Sequence, residues 1–135
     1  MSRLHLLVSA TVALALLLTP VARAAGVRAQ LQTFFQANLT STDYQKKLFD
    51  RFARSYRQPG AKHVPKPGQR TVVQAVIGRD GKLVTTLVSM ESGSKGWDEA
   101  ALKAVKKAAP FEPLPDSYTA PTLEVHFHVS WSTGS

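Results

Sequence analysis

The sequence predicts an α+β fold in which two helices pack on one face of a three-stranded antiparallel sheet. Residues 71–90 contain two apolar, β-branched runs around an Asp-Gly pair, which is the strongest short-range signal for a β-hairpin. Residues 43–56 and 97–109 place apolar side chains at the spacing of one helical face. Residues 122–131 alternate between polar and apolar side chains, as a strand with one buried face does.

The first 24 residues have the features of a secretory signal peptide. Arg3 precedes an apolar run over residues 6–18, and Ala22-Arg23-Ala24 matches the A-x-A cleavage pattern. The run of about 13 residues is shorter than the roughly 20 that a membrane-spanning helix needs. We therefore expect residues 1–24 to be cleaved and the mature protein to be periplasmic, with a retained inner-membrane anchor as the alternative.

A short lead segment is expected at residues 25–40, ahead of a domain at residues 41–135. The apolar residues of the lead that could share one helical face are Leu31, Phe34, Phe35 and Leu39. The stretch is short and lacks good capping residues. A mobile lead that packs on the domain is therefore as consistent with the pattern as a helix.

The first helix of the domain is predicted at residues 43–56. Thr42 would be its N-cap, and Gln45 would complete a capping box in which each side chain bonds an unpaired backbone donor. Its apolar stripe consists of Tyr44, Leu48, Phe52 and Tyr56. A connector rich in proline and glycine follows at residues 59–68.

The hairpin is predicted to have strands at residues 71–77 and 82–90. The first of these strands is apolar on both faces, which suits the middle of a sheet. The second helix, at residues 97–109, begins with Asp98 and Glu99 and ends with lysines, the order that the helix dipole favours. In the last strand the buried side would be Leu123, Val125, Phe127, Val129 and Trp131.

Four segments, in order and at similar spacing, resemble the carboxyl-terminal domain shared by the TonB and TolA energy transducers. They are residues 77–83, 91–93, 97–102 and 108–115. Tyr44, Phe52, Tyr56 and Pro59 are similar to the leading helix of the TolA type. The resemblance implies a non-enzymatic periplasmic domain, without a cofactor, that binds a partner within envelope transport or energy-transduction machinery.

The resemblance also implies where the partner binds. The last strand would be a free sheet edge, to which an extended segment of an outer-membrane receptor, a Tol-system protein or another envelope protein adds as a further strand. About five backbone hydrogen bonds at 0.5 to 1.5 kcal/mol each barely offset an association cost of at least about 4 kcal/mol. Side chains on the polar face should supply the rest. These partner-binding candidates are Thr122, Glu124, His126, His128 and Ser130.

Two other functions stay open from the residues. One is a membrane-anchored short energy transducer that couples a proton-driven inner-membrane motor to outer-membrane receptors. The other is a metal-binding periplasmic protein, because His126 and His128 share one strand face, although zinc sites use three or four ligands.

Catalysis and nucleic-acid binding are not expected. The chain has no cysteine and no G-x-S-x-G elbow, so no activated nucleophile is apparent. The formal net charge is +8, of which Arg3 and Arg23 contribute two in the predicted signal peptide. An exported chain without an aromatic-rich basic motif is an unsuitable partner for nucleic acid.

Overall fold

The computed structural model describes residues 26–133. Within this range the elements are β1 (Val27–Phe35), α1 (Thr42–Ser55), a 3-10 turn (Ala61–His63), β2 (Thr71–Gly78), β3 (Leu83–Met90), α2 (Lys95–Ala108) and β4 (Thr122–Thr133). Neither helix in this range has the length and hydropathy that a membrane-spanning segment requires. The predictions of a signal peptide or anchor at residues 1–24 lie outside the described residues.

Contacts group residues 29–131 into one compact unit. The described residues 26–28 and 132–133 belong to a second unit. The strands form one sheet in the order β1-β4-β2-β3, with β2 antiparallel to both β3 and β4. The α+β fold is therefore confirmed. The predicted count of three strands is wrong, because the described sheet has four.

The additional strand is β1, which occupies most of the segment predicted as a helix or a mobile lead. Its side chains alternate between half-buried and exposed positions along the whole strand. Ala29, Leu31 and Phe35 pack against the core from one face, with a period of two. The helical pattern in the sequence depended on Leu39, which lies after the end of the strand and is buried in the core.

Both helices begin slightly earlier than predicted, because a serine caps each of them. The Ser41 hydroxyl accepts a hydrogen bond from the Tyr44 amide over 3.2 Å, so the N-cap of α1 is Ser41 and not Thr42. Ser94 caps α2 in the same way, accepting from the Trp97 amide over 3.4 Å. The Gln45 side chain donates to the Leu39 carbonyl over 3.0 Å, which joins the start of α1 to the segment before it.

The core lies between the two helices and one face of the sheet. The Phe52 ring of α1 and the Phe127 ring of β4 have centroids 4.8 Å apart. Trp97 of α2 is fully buried and donates its indole N–H to the Val129 carbonyl over 3.2 Å. Phe111, which follows α2, is also buried against Phe127. Both helices are thus fixed to β4 through aromatic side chains.

The β2–β3 turn packs against the proline-rich segment that follows α2. Gly81 has a φ of +87°, and a Cβ built at this position would lie 2.0 Å from the Phe111 carbonyl oxygen. The Phe111 amide donates to the Gly81 carbonyl over 2.8 Å, and the Leu114 amide donates to the Arg79 carbonyl over 3.0 Å. The Arg79 guanidinium donates to the carbonyls of Tyr118 and Ala120. The turn therefore requires glycine at position 81, because a side chain there would clash with the Phe111 carbonyl.

Candidate protein-binding surface

Strand β4 is an inner strand of the sheet. It pairs with β2 on one side, in a register that joins Gln74 to His126 and Val76 to Glu124, and β1 lies on its other side. The expectation that the last strand is a free edge is therefore wrong. The physical reason is that the lead segment, as β1, hydrogen-bonds to that side of β4.

The five candidate residues of β4 lie along the sheet face that is opposite the helices. Thr122 is exposed, and Glu124, His126, His128 and Ser130 are half-buried. Since β4 has a neighbour on each side, these residues can reach a partner only through their side chains. Their role in binding a partner stays a prediction.

These five residues form what we call the polar row of β4, and Glu124 makes hydrogen bonds to residues on both sides of it. Its Oε1 accepts from the Gln74 side-chain amide over 2.9 Å, and its Oε2 lies 2.9 Å from Nε2 of His126. The Glu124 amide donates to Oε1 of Gln36, just after β1, over 3.0 Å. The row is thus tied to the strands on both sides of β4.

The two histidines of the row have different surroundings. The His128 ring lies 4.5 Å from the Phe34 ring of β1, centroid to centroid. Burial lowers the pKa of His128 below its ordinary value, and the nearby charges of Arg70 and His126 lower it further.

No group of three or more His, Cys, Asp or Glu side chains within residues 26–133 could hold a metal ion. His63 lies against Gly96 of α2, and its carbonyl accepts from the Ser94 hydroxyl.

Strand β3 has an available edge. In the part of the chain that the structure describes, β3 is the last strand on its side of the sheet and pairs with β2 alone. It carries three large apolar side chains with high exposure: Val84 at 63%, Leu87 at 49% and Met90 at 45%. Such side chains on an unpaired edge favour association with another chain.

The register of β3 limits how long a regular added strand could be. Irregularities in the β2–β3 pairing leave Val84 and Ser89 without a direct partner in the register. Between them, residues 85–88 pair regularly, and Leu87 is opposite Gln74. Bulges of this kind at an edge discourage long, unspecific strand pairing. The regular part of the edge is therefore short.

A groove of about 430 Å³ lies beside the end of β3, between that strand and α2. Val88 and Leu102 supply its apolar side chains. Its charged residues are Glu91, Lys95, Asp98 and Glu99. Because side chains of a strand alternate between the two faces, those of a strand added to β3 would point alternately toward this groove and toward Leu87.

Buried hydrogen bonds fix the position of α2 beside this groove. Oδ1 of Asp98 accepts from the Thr71 hydroxyl over 2.5 Å and from the Ser92 amide over 2.9 Å. All three residues are buried. Asp98 therefore joins the first turns of α2 to the start of β2 and to the loop after β3.

The sequence contained a signal for the β3 edge that its interpretation did not use. The apolar and polar residues of β3 alternate poorly, a pattern that specifies the register of a strand only weakly. In the structure this irregularity arises from two bulges and from apolar side chains on the exposed side. In β3, poor alternation therefore reflects an edge strand that exposes apolar residues.

The comparisons with known proteins place the fold in a family. A family model described as TonB C terminal matches residues 41–129, a range that includes both helices, β2 and β3 but not β1. No significant match was found among curated proteins or among solved structures. TonB-like domains interact with other proteins and are generally non-enzymatic. Because the matched residues make up more than half of the sequence, the chain belongs to the TonB C-terminal family.

Proposed function

We propose that this protein is a periplasmic, non-enzymatic domain that recognises an extended segment of another envelope protein by strand addition at β3. One observation carries the proposal: within residues 26–133, β3 is paired on one side only and exposes Val84, Leu87 and Met90. An extended segment adds to such an edge through main-chain hydrogen bonds. Family membership supports a protein partner and a role in envelope transport or energy transduction.

Main-chain hydrogen bonds alone would hold the segment weakly. Four regular residues at positions 85–88 offer about four outward-facing hydrogen bonds, worth roughly 0.5 to 1.5 kcal/mol each. Association costs at least about 4 kcal/mol. Apolar side chains must therefore contribute, at about 25 cal/mol for each Å² that they bury. Leu87 and Met90 are available on one face of the added strand, and Val88 and Leu102 line the groove on the other.

The polar row of β4 would contact the same partner, through side chains and not through the backbone. The register places Leu87, Gln74 and His126 side by side across three strands. Neighbouring strands are about 4.8 Å apart, so His126 lies roughly 10 Å from Leu87. A partner bound at β3 that also covers the exposed sheet face would reach His126 and His128. We propose this contact for the polar row, in place of backbone pairing at β4.

The membrane-anchored transducer and the metal-binding protein are not favoured as functions. The family match supports a protein-interaction domain and does not distinguish an anchored form. Glu124 and His126 contact each other, but within residues 26–133 no group of three His, Cys, Asp or Glu side chains could hold a metal ion.

Site-specific photo-crosslinking in cells tests the proposed function. A photoreactive residue is placed at Val84 on β3, at His126 on β4, or at Lys46 on the exposed side of α1. We expect a discrete protein adduct from Val84, a weaker one from His126 and none from Lys46. Equal labelling at all three positions would contradict the proposal, because it would indicate unspecific contact.

A pair of matched substitutions separates the two edges of the sheet. Leu87→Lys on β3 and Phe34→Lys on β1 introduce the same charge at side chains that are 49% and 50% exposed. We expect Leu87→Lys to remove the Val84 adduct and Phe34→Lys to leave it in place. The reverse result would assign partner binding to β1 and overturn the choice of β3.

A further inference from the structure

A second concave surface lies between the two helices and shares only Glu99 with the lining of the β3 groove. A cleft of about 400 Å³ is lined by Ser55 and Arg57 at the end of α1 and by Lys103 and Lys107 of α2. A smaller hollow of about 230 Å³ shares Ser55 and Lys107 with it. We call the two together the interhelical cleft. Arg51 and Arg54 of α1, His63 of the 3-10 turn and Glu99 of α2 also line it.

The charges around the interhelical cleft are almost all positive. Five cationic residues line it, namely Arg51, Arg54, Arg57, Lys103 and Lys107. The acidic residue that lines it is Glu99, whose carboxylate lies 3.9 Å from the Lys95 ammonium group. Among the described ion pairs, none includes one of the five cations.

Two lysines on the exposed side of α1 have ion-pair partners. Lys46 pairs with Asp50 over 2.8 Å and Lys47 with Asp43 over 3.2 Å, each four residues apart on α1. At the cleft, by contrast, Lys103 and Lys107 are four residues apart and carry the same charge. Like charges at this spacing destabilise a helix by roughly 0.2 to 0.5 kcal/mol. This like-charge pair therefore costs stability, and an anionic ligand between the two lysines would offset that cost.

Local backbone roles account for some of these cations but not for the set. Arg57 donates to the Arg54 and Tyr56 carbonyls at the end of α1, and Arg51 donates to the Ala108 carbonyl. Lys107 lies in the last turn of α2, where the helix dipole favours a cation. Lys103 has neither role, since it lies in the middle of α2 and faces the cleft.

We infer that the interhelical cleft binds a phosphate-bearing anion. Three cations, Arg57, Lys103 and Lys107, line one cavity and would together compensate a doubly charged group. Arginine and lysine are the side chains that proteins use for phosphate, the former through its planar fork and the latter as a point charge. The phosphate could belong to a lipid headgroup or to a soluble molecule, and both present the same chemistry to the cleft. Among their lining residues, the cleft and the groove at β3 share Glu99 alone, and anion binding does not depend on strand addition.

Two binding measurements on the purified exported protein distinguish the sources of phosphate. In one, inorganic pyrophosphate is titrated while the backbone amide NMR signals of Ser55 and Ala104 are followed. In the other, co-sedimentation is measured with vesicles of phosphatidylglycerol in phosphatidylcholine and with vesicles of phosphatidylcholine alone. Saturable shifts with pyrophosphate and no vesicle binding indicate a soluble phosphate. Binding only to vesicles that contain phosphatidylglycerol indicates a lipid headgroup.

A double variant at the cleft and a matched double variant outside it test specificity. Lys103→Gln with Lys107→Gln should weaken binding at least about tenfold, since each cation near an anionic surface adds appreciably to affinity. Lys46→Gln with Lys47→Gln removes the same charge from α1 and should change binding less than about twofold. The melting temperature of the cleft variant should change little, because removal of the like-charge pair and loss of the Lys107 cation at the end of α2 have opposite effects. A loss of binding with a large fall in the melting temperature would indicate a structural role instead.

Equal weakening by the two double variants would overturn the inference, because binding would then follow net charge and not the cleft. Absence of binding to both pyrophosphate and phosphatidylglycerol vesicles would overturn it as well. Saturation by an acidic peptide such as oligoglutamate, with no response to either phosphate probe, would reassign the cleft to a protein partner.

Discussion

The hydroxyl group of Thr71 donates a hydrogen bond to Oδ1 of Asp98 over 2.5 Å, and both residues are buried. The same oxygen accepts from the Ser92 amide over 2.9 Å. One carboxylate oxygen therefore satisfies two donors that have little access to water. Loss of a buried acceptor costs more than the net value of the hydrogen bonds, because the donors stay desolvated.

Asp98→Ala should lower the free energy of unfolding by about 2 to 5 kcal/mol, since two buried donors lose their acceptor. Urea denaturation followed by circular dichroism measures the change. Glu99→Ala is the matched control, because Glu99 is the exposed neighbour of Asp98 and its contact with Lys95 is a surface pair. The control should change the free energy by less than about 0.5 kcal/mol. Equal effects would refute the role assigned to Asp98.

Phe127→Ala should destabilise the domain by about 3 to 5 kcal/mol, the range for removing a buried aromatic ring. Phe127 is fully buried and contacts the rings of Phe52 and Phe111. A small domain with 5 to 15 kcal/mol of stability would lose much of it. Phe34→Ala removes the same side chain from a position that is 50% exposed. Thermal melts should show a much smaller loss for Phe34→Ala than for Phe127→Ala.

Gly81→Ala and Gly93→Ala separate backbone strain from a steric clash. Both glycines have a φ of +87°, so alanine at either position should cost roughly 1 to 2 kcal/mol of strain. A Cβ at Gly81 would also lie 2.0 Å from the Phe111 carbonyl oxygen, whereas a Cβ at Gly93 would meet nothing within 4 Å. Gly81→Ala should therefore be more destabilising by at least about 1 kcal/mol in chemical denaturation. A smaller effect at Gly81 than at Gly93 would contradict the close approach of the turn to Phe111.

Stability should decrease as the pH falls below about 6.5, the ordinary pKa of histidine. The pKa of His128 is lowered in the folded protein by burial, and then by Arg70 and His126. The unfolded chain therefore binds a proton at a higher pH than the folded chain, which favours unfolding in acid. The groups that face His128 are Phe34 on β1, Arg70 before β2 and His126 on β4.

The measurement is the melting temperature at pH 7.5 and at pH 5.5. We expect a smaller difference between the two pH values in His128→Gln than in the unaltered protein. His63→Gln, in the connector before β2, should keep the original difference. An unchanged pH dependence in His128→Gln would exclude this histidine as its source.

The elements whose signals are local were predictable from the sequence. The Asp-Gly turn fixed the hairpin, and the apolar stripes of Tyr44 to Phe52 and of Trp97 to Val105 fixed the two helices to within two residues. Each of these predictions depended on residues close together in the sequence.

The strand order was not predictable in this way. Whether β4 is an edge depends on its pairing with β1, almost a hundred residues earlier in the chain, and no local pattern reports such a pairing. The β1 sequence also fits two periods, since Leu31 and Phe35 are compatible with both a helix and a strand. The candidate binding edge therefore moved from β4 to β3. The choice of polar residues on β4 stays untested.

The pairing of β1 with β4 has a practical consequence for anyone who trims this protein for biophysics. A fragment cut to the residues that the family model matches would begin after Phe35 and would leave one flank of β4 with bare main-chain donors and acceptors. That exposed edge would pair with peptides, or with a second copy of the fragment, at a position that β1 occupies in the intact protein. Affinities measured with the fragment would then include binding at an edge that truncation created.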